Sequence, residues 1–155
     1  MAKKSGSERH RGRVQRIPPP RIEIDFLILG DYAQAVNGKL TVVGGGWTIY
    51  NPAQYPSLVP FGLGIGILVP WTETNRKHHF TFVIRGTERQ ELARGDGDFE
   101  VGRQPGIPAG MTQRVTLGIA GQMQIQNPGN YEITVTCSTE QKRVSFEALP
   151  VPQIR

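Results

Sequence analysis

Asp96, Asp98 and Glu100 occupy alternate positions in Asp96-Gly97-Asp98-Phe99-Glu100, so on a strand the three carboxylates would gather on one side and could take a hard cation such as calcium. The segment lacks the length and the distal glutamate of an EF-hand loop, and a solvated hairpin edge accounts for the same residues. His78 and His79 are adjacent; on a strand they point to opposite faces and cannot ligate one metal together, so they read as strand-end histidines. Cys137 is the only thiol, no histidine lies near it in sequence, and no Gly-x-Ser-x-Gly elbow occurs, so the parts of a nucleophilic triad are not assembled. Cys137 reads instead as a small buried hydrophobe. Gly44-Gly45-Gly46 could bring backbone N–H groups to an anion, but no Gly-Lys-Ser/Thr follows and no helix opens there; the structural reading is a tight bend under Trp47. Arg94-Gly95-Asp96 spells an adhesion tripeptide, which chance explains in a chain whose start carries no apolar signal segment. These residues lead to the expectation of a non-enzymatic protein with no cofactor and no metal.

Two groups point instead to binding. Trp47, Tyr50, Tyr55 and Trp71 fall in loop-like stretches, where they could serve as stacking platforms for a peptide, a carbohydrate or another small ligand, or cap one end of a core. The second group is basic. Residues 1–21 hold Lys3, Lys4, Arg9, Arg11, Arg13, Arg16 and Arg21 against the single acid Glu8, whereas the remainder is nearly neutral; the net charge of +5 therefore belongs to the N-terminal arm. Such an arm could neutralise phosphates and tether the chain to nucleic acid without sequence preference, or be no more than a soluble leader. Val14 and Ile17 are its only branched aliphatics and Pro18-Pro19-Pro20 favours an extended segment, so residues 1–21 read as a disordered basic arm with a stiff hinge.

The elements that must position these groups are strands. Ile22, Ile24, Phe26 and Ile28 alternate with Glu23, Asp25, Leu27 and Leu29, and the fold begins there. Asp31 to Val36 reads as an irregular or single-turn helical piece, Asn37-Gly38 as a type I′ turn, and Lys39 to Val43 as the returning strand. Trp47 to Pro60, with three prolines, reads as a long covered loop. In Phe61-Gly62-Leu63-Gly64-Ile65-Gly66-Ile67-Leu68-Val69 the odd positions are large and apolar, while Gly62, Gly64 and Gly66 leave the other face bare, a candidate surface for close packing or a partner. Strands follow at His78–Ile84, Asp98–Val101, Val115–Ile125, Tyr131–Cys137 and Val144–Ala148, with an exposed hairpin connection over 87–94. Tyr131, after Pro128-Gly129-Asn130, has the setting of a tyrosine corner, a structural role. Seven or eight short strands without a convincing amphipathic helix predict an all-β fold, a single antiparallel immunoglobulin-like β-sandwich over 22–149, followed by a tail over 150–155.

Three segments carry a resemblance: Glu23–Leu29 running into Asp31-Tyr32-Ala33-Gln34; Asn37-Gly38-Lys39-Leu40-Thr41-Val42-Val43-Gly44-Gly45-Gly46-Trp47; and Gly66-Ile67-Leu68-Val69-Pro70-Trp71-Thr72-Glu73-Thr74-Asn75. With Phe99 to Gly106 and Pro128 to Tyr131 in the same order, the chain resembles, over roughly residues 22–149, a family of small bacterial proteins known as a domain of unknown function. The resemblance implies a bacterial β-sandwich and favours the hairpin over 87–94; it transfers no activity, cofactor or catalytic residue. The expected function is a cytoplasmic interaction module that binds a protein partner or a second copy of itself through the loop aromatics or an open sheet edge, with nucleic-acid tethering by the arm as the alternative. A single cysteine suits a reducing compartment, and the longest apolar stretch is too short for a membrane span.

Overall fold

The computed structural model describes residues 15–154 and is all-β. Ten strands lie among the described residues: β1 Glu23–Gly30, β2 Tyr32–Val36, β3 Lys39–Val43, β4 Ile49–Tyr50, β5 Ser57–Val69, β6 Lys77–Arg85, β7 Glu91–Glu100, β8 Gln113–Ile125, β9 Gly129–Cys137 and β10 Glu140–Ala148. They form a three-stranded sheet ordered β1-β5-β8, a five-stranded sheet ordered β4-β10-β9-β6-β7, and the separate hairpin β2-β3. Every pairing is antiparallel except the two-residue contact of β4 with β10. The two larger sheets bury their facing sides together, and the hairpin adds a third layer on the outer face of β1-β5-β8.

The core follows from the period of the strands. Val59, Phe61, Leu63, Ile65, Ile67 and Val69 of β5 are at most 3% exposed and meet Ile84, Ile133, Val135 and Phe146 of the opposing sheet in one cluster. The glycine face of β5 is equally buried. A Cβ on Gly62 would fall 2.2 Å from the carbonyl carbon of Tyr32, and one on Gly118 of β8 would fall 2.6 Å from the backbone nitrogen of Ala35. The bare face thus accepts the main chain of β2 directly, while Leu40 and Val42 of β3 press on Gly64 and the Phe26 ring lies on Gly66.

Four expectations are corrected. Tyr32–Val36 is a strand: Asn37 and Gly38, both at positive φ, make the anticipated two-residue turn, and Tyr32 pairs with Val43 and Val36 with Lys39. The stretch 47–60 is loop only in part, because Ile49-Tyr50 forms β4 and β5 starts at Ser57. Pro60 lies in the part of β5 that β1 does not reach, since β1 ends at Gly30 opposite Gly62; there β5 has β8 as its one ladder neighbour, which makes a proline easier to accommodate. The strand expected at 98–101 begins at Glu91, so the connection after β6 shrinks to residues 86–90. Finally, the alternation in β1 breaks at a bulge between Ile24 and Phe26: Ile22, Ile24, Leu27 and Leu29 enter the core, whereas Phe26 and Ile28 turn to the outer face. Lys142 donates to the carbonyl oxygens of Ile24 and Asp25, each at 3.2 Å, and so holds the bulge from the opposing sheet.

Candidate functional site

Three of the four loop aromatics converge. Trp47 meets Phe146 edge-on at 5.1 Å and Tyr50 at 6.3 Å, and Tyr55 donates a 2.6 Å hydrogen bond to the carbonyl of Leu149. Burial, with smaller contributions from Tyr131, Tyr50 and Glu147, pushes the Tyr55 phenol above its ordinary pKa. The indole N–H of Trp47 is buried without a hydrogen-bond partner. Asp31, Trp47, Ile49, Tyr50, Val59 and Pro60 line a cleft of about 200 Å³ at this end. That is smaller than the roughly 300 Å³ at which small-molecule pockets begin, and Trp47, Tyr50 and Tyr55 all pack against the core. Trp71 stands apart at the far end of β5, under the guanidinium of Arg103, whose carbon lies 4.2 Å from the ring centre. Arg103 donates to Thr74 Oγ1 at 2.7 Å and to the Trp71 carbonyl at 3.0 Å, which ties the stretch after β5 to the stretch after β7.

Gly62, Gly64 and Gly66 are not available to a partner, since the chain's own hairpin and Phe26 occupy that face. Of the basic arm, Lys3, Lys4, Arg9, Arg11 and Arg13 lie outside the described residues; Arg16 is exposed and Arg21 pairs with Glu140 at 3.2 Å.

The polar groups on β6 and β7 divide between faces. His78 packs on Phe99 and its Nε2 bonds the Glu73 carbonyl at 2.7 Å. His79, on the opposite face, lies between two carboxylates, with Nδ1 2.7 Å from Asp98 and Nε2 3.3 Å from Asp96. Glu100 stands opposite Lys77 in the ladder, and among the described residues no group of three His, Cys, Asp or Glu side chains comes together at metal-binding spacing. The pairing of His79 with both aspartates depends on the register of β6 with β7, a long-range feature that the spacing of 96, 98 and 100 does not contain.

Cys137 is 1% exposed, and burial pushes its thiol above the ordinary range. Because the folded pKa is raised, the unfolded chain releases this proton first, and the group's contribution to stability is present below about pH 8.5 and declines as pH rises beyond it. A thiol reagent at pH 7 should therefore react about a hundredfold more slowly with the native chain than with the urea-unfolded chain. Equal rates, followed by absorbance, would contradict a sealed position.

A binding surface that the spacing of chemical groups does not reveal is the edge of β8. Its single ladder partner among the described residues is β5, in unbroken register from Gln113 to Ile125, so the other side of this 13-residue strand is unpaired. It carries one charge, Arg114, and no proline or bulge. On its core-facing side Val115, Leu117 and Ile119 remain half-buried. Its other partner in space is the hairpin, which crosses from Gly62 on β5 to Gly118 on β8, so that the Asn37-Gly38 turn reaches the rim of the sheet. No helix among the described residues is long and apolar enough to cross a membrane.

A family model described as Family of unknown function (DUF6941) matches residues 25–147, which takes in all ten strands but for the two-residue start of β1 and the last residue of β10. No curated protein matches the chain.

Proposed function

We propose, for a chain that belongs to the Family of unknown function (DUF6941), that the domain is a non-enzymatic interaction module whose protein partner adds a strand to the free edge of β8. The observation that carries this reading is that edge itself. Natural sheets blunt exposed edges with lysines, prolines, bulges or very short strands. β8 has none of these over 13 residues, whereas the opposite edge of its own sheet, β1, is bulged at Asp25 and held by Lys142. Main-chain hydrogen bonds would supply affinity, and the half-buried row Val115, Leu117 and Ile119 would supply side-chain contacts. The compartment proposed is a bacterial cytoplasm, consistent with one free, buried cysteine.

The test is affinity capture from native cells, with and without nuclease, by the wild-type chain and by Ala120→Lys/Gln122→Lys, which places two charges on exposed positions of the edge. Proteins retained by the wild type after nuclease and lost from the variant are the expected result. Equal recovery by both chains overturns the edge. Recovery abolished by nuclease alone returns the function to the basic arm, the reading that the charge concentrated in residues 1–21 supports.

A further inference from the structure

The occupant of the β8 edge follows from the strand's own sequence, given the reading above on which this step rests. We propose that β8 pairs antiparallel with β8 of a second copy about a twofold axis through Ile119, joining two β1-β5-β8 sheets into one six-stranded sheet. This register is the one that uses the whole strand, Gln113 opposite Ile125 through Ile119 opposite itself. It sets Val115 against Met123 and Leu117 against Gly121 on the core side, so the half-buried row of each copy continues into apolar residues of the other. On the outer side Arg114 meets Gln124 and Thr116 meets Gln122. The single charge of the strand therefore never faces its own copy, and no like charges are opposed. Gly118 and Ala120, the two smallest outward side chains, fall opposite each other near the place where the hairpin reaches the rim. There the half-exposed Val36 at the hairpin tip can cover the main chain of the added strand.

Alternate residues along a 13-residue edge point their N–H and C=O groups outward, so the pairing makes about a dozen main-chain hydrogen bonds, the number found in an ordinary stable interface. An isologous contact of this kind also closes at two copies and removes the exposed edge altogether.

Cysteine cross-linking in the full chain reads the register directly, since the native thiol Cys137 is buried. Ile119→Cys should self-link under mild oxidant, because facing Cβ atoms in such a pair are about 5 Å apart. Arg114→Cys mixed with Gln124→Cys should link across chains at a comparable rate. Each of these two alone should link at least about tenfold more slowly, being about 33 Å from its own copy. Both sites of the mixed pair are exposed, so that arm stands even where Ile119→Cys destabilises the fold. Mass photometry of the wild type should give twice the chain mass in the micromolar range. A monomer throughout that range, or cross-linking indifferent to position, overturns the pairing. If that monomer still captures protein partners through the edge, self-pairing alone falls; if Ala120→Lys/Gln122→Lys captures as much as the wild type, the edge reading falls with it.

Discussion

Replacing Gly62 by alanine is expected to destabilise the fold by about 3 kcal/mol and lower its melting temperature by roughly 6 to 12 °C, the upper end of what overpacking costs. The reason is the nature of the neighbour. The added methyl would lie 2.2 Å from the carbonyl carbon and 2.3 Å from the next nitrogen of the Tyr32-Ala33 peptide, both main-chain atoms of a hairpin held by five cross-strand pairs. No rotamer change relieves that contact; the hairpin must lift or the sheet must bend. Gly66→Ala is the matched control, since the atoms it meets belong to the far side of the half-buried Phe26 ring, which can swing outward, and its cost should be about 1 kcal/mol. Thermal unfolding of the two variants by circular dichroism makes the comparison. If both cost the same, direct seating of the β2 main chain on β5 is wrong.

Tyr131→Ala is expected to cost about 4 kcal/mol and Tyr131→Phe about 1 kcal/mol, so ring and hydroxyl can be separated. The ring is 2% exposed and stacks on Phe146 at 5.2 Å with planes 10° apart; Phe146 in turn carries Trp47. Removing it opens a cavity beneath the whole aromatic cap. The hydroxyl donates to the Asn127 carbonyl at 2.7 Å, across the turn that starts β9. Its loss leaves that carbonyl, and the Asn127 N–H that donates to the hydroxyl at 3.4 Å, at a partly wet corner which water can reach. Urea unfolding with an unchanged denaturant slope checks both values, and a Phe variant as damaged as the Ala variant would assign the stability to the corner hydrogen bond instead of the ring.

The corner at Tyr131 is legible in sequence because everything it needs is local: a glycine turn, a tyrosine after it, and a carbonyl four residues upstream. The Asn37-Gly38 turn is legible for the same reason. The bulge in β1 is not, since the lysine that holds it is 117 residues away from Asp25 and nothing around Ile24 marks an inserted residue. Nor does Tyr-Ala-Gln-Ala-Val announce a strand. Its short apolar run suits a helical turn equally well, and what decides the matter is the glycine row on β5 and β8 that waits to receive its main chain. That something lies flat on Gly62, Gly64 and Gly66 can be read from alternation alone; that the chain itself fills the place cannot. The aromatics divide likewise: Trp47, Tyr50 and Tyr55 sit on one side of a strand 13 residues long, and Trp71 comes after its other end. The charge-poor composition of residues 113–125 is visible in the sequence, but that these residues form an edge is a property of strand order.

The hairpin β2-β3 also sets a sequence of events in time. Its strands are joined by a two-residue turn and can meet within microseconds of the chain's collapse. The bed on which it rests, however, exists only after β5 has found β8, whose paired residues are separated by 44 to 68 positions. Gly118 and the glycine face of β5 therefore stay uncovered while the slowest pairing of that sheet is under way, and the outer layer closes over a surface that has already set. In the native protein the order reverses: the layer that docks last, with Tyr32, Val36 and Val43 facing water, is the one that can lift without disturbing the two sheets beneath it.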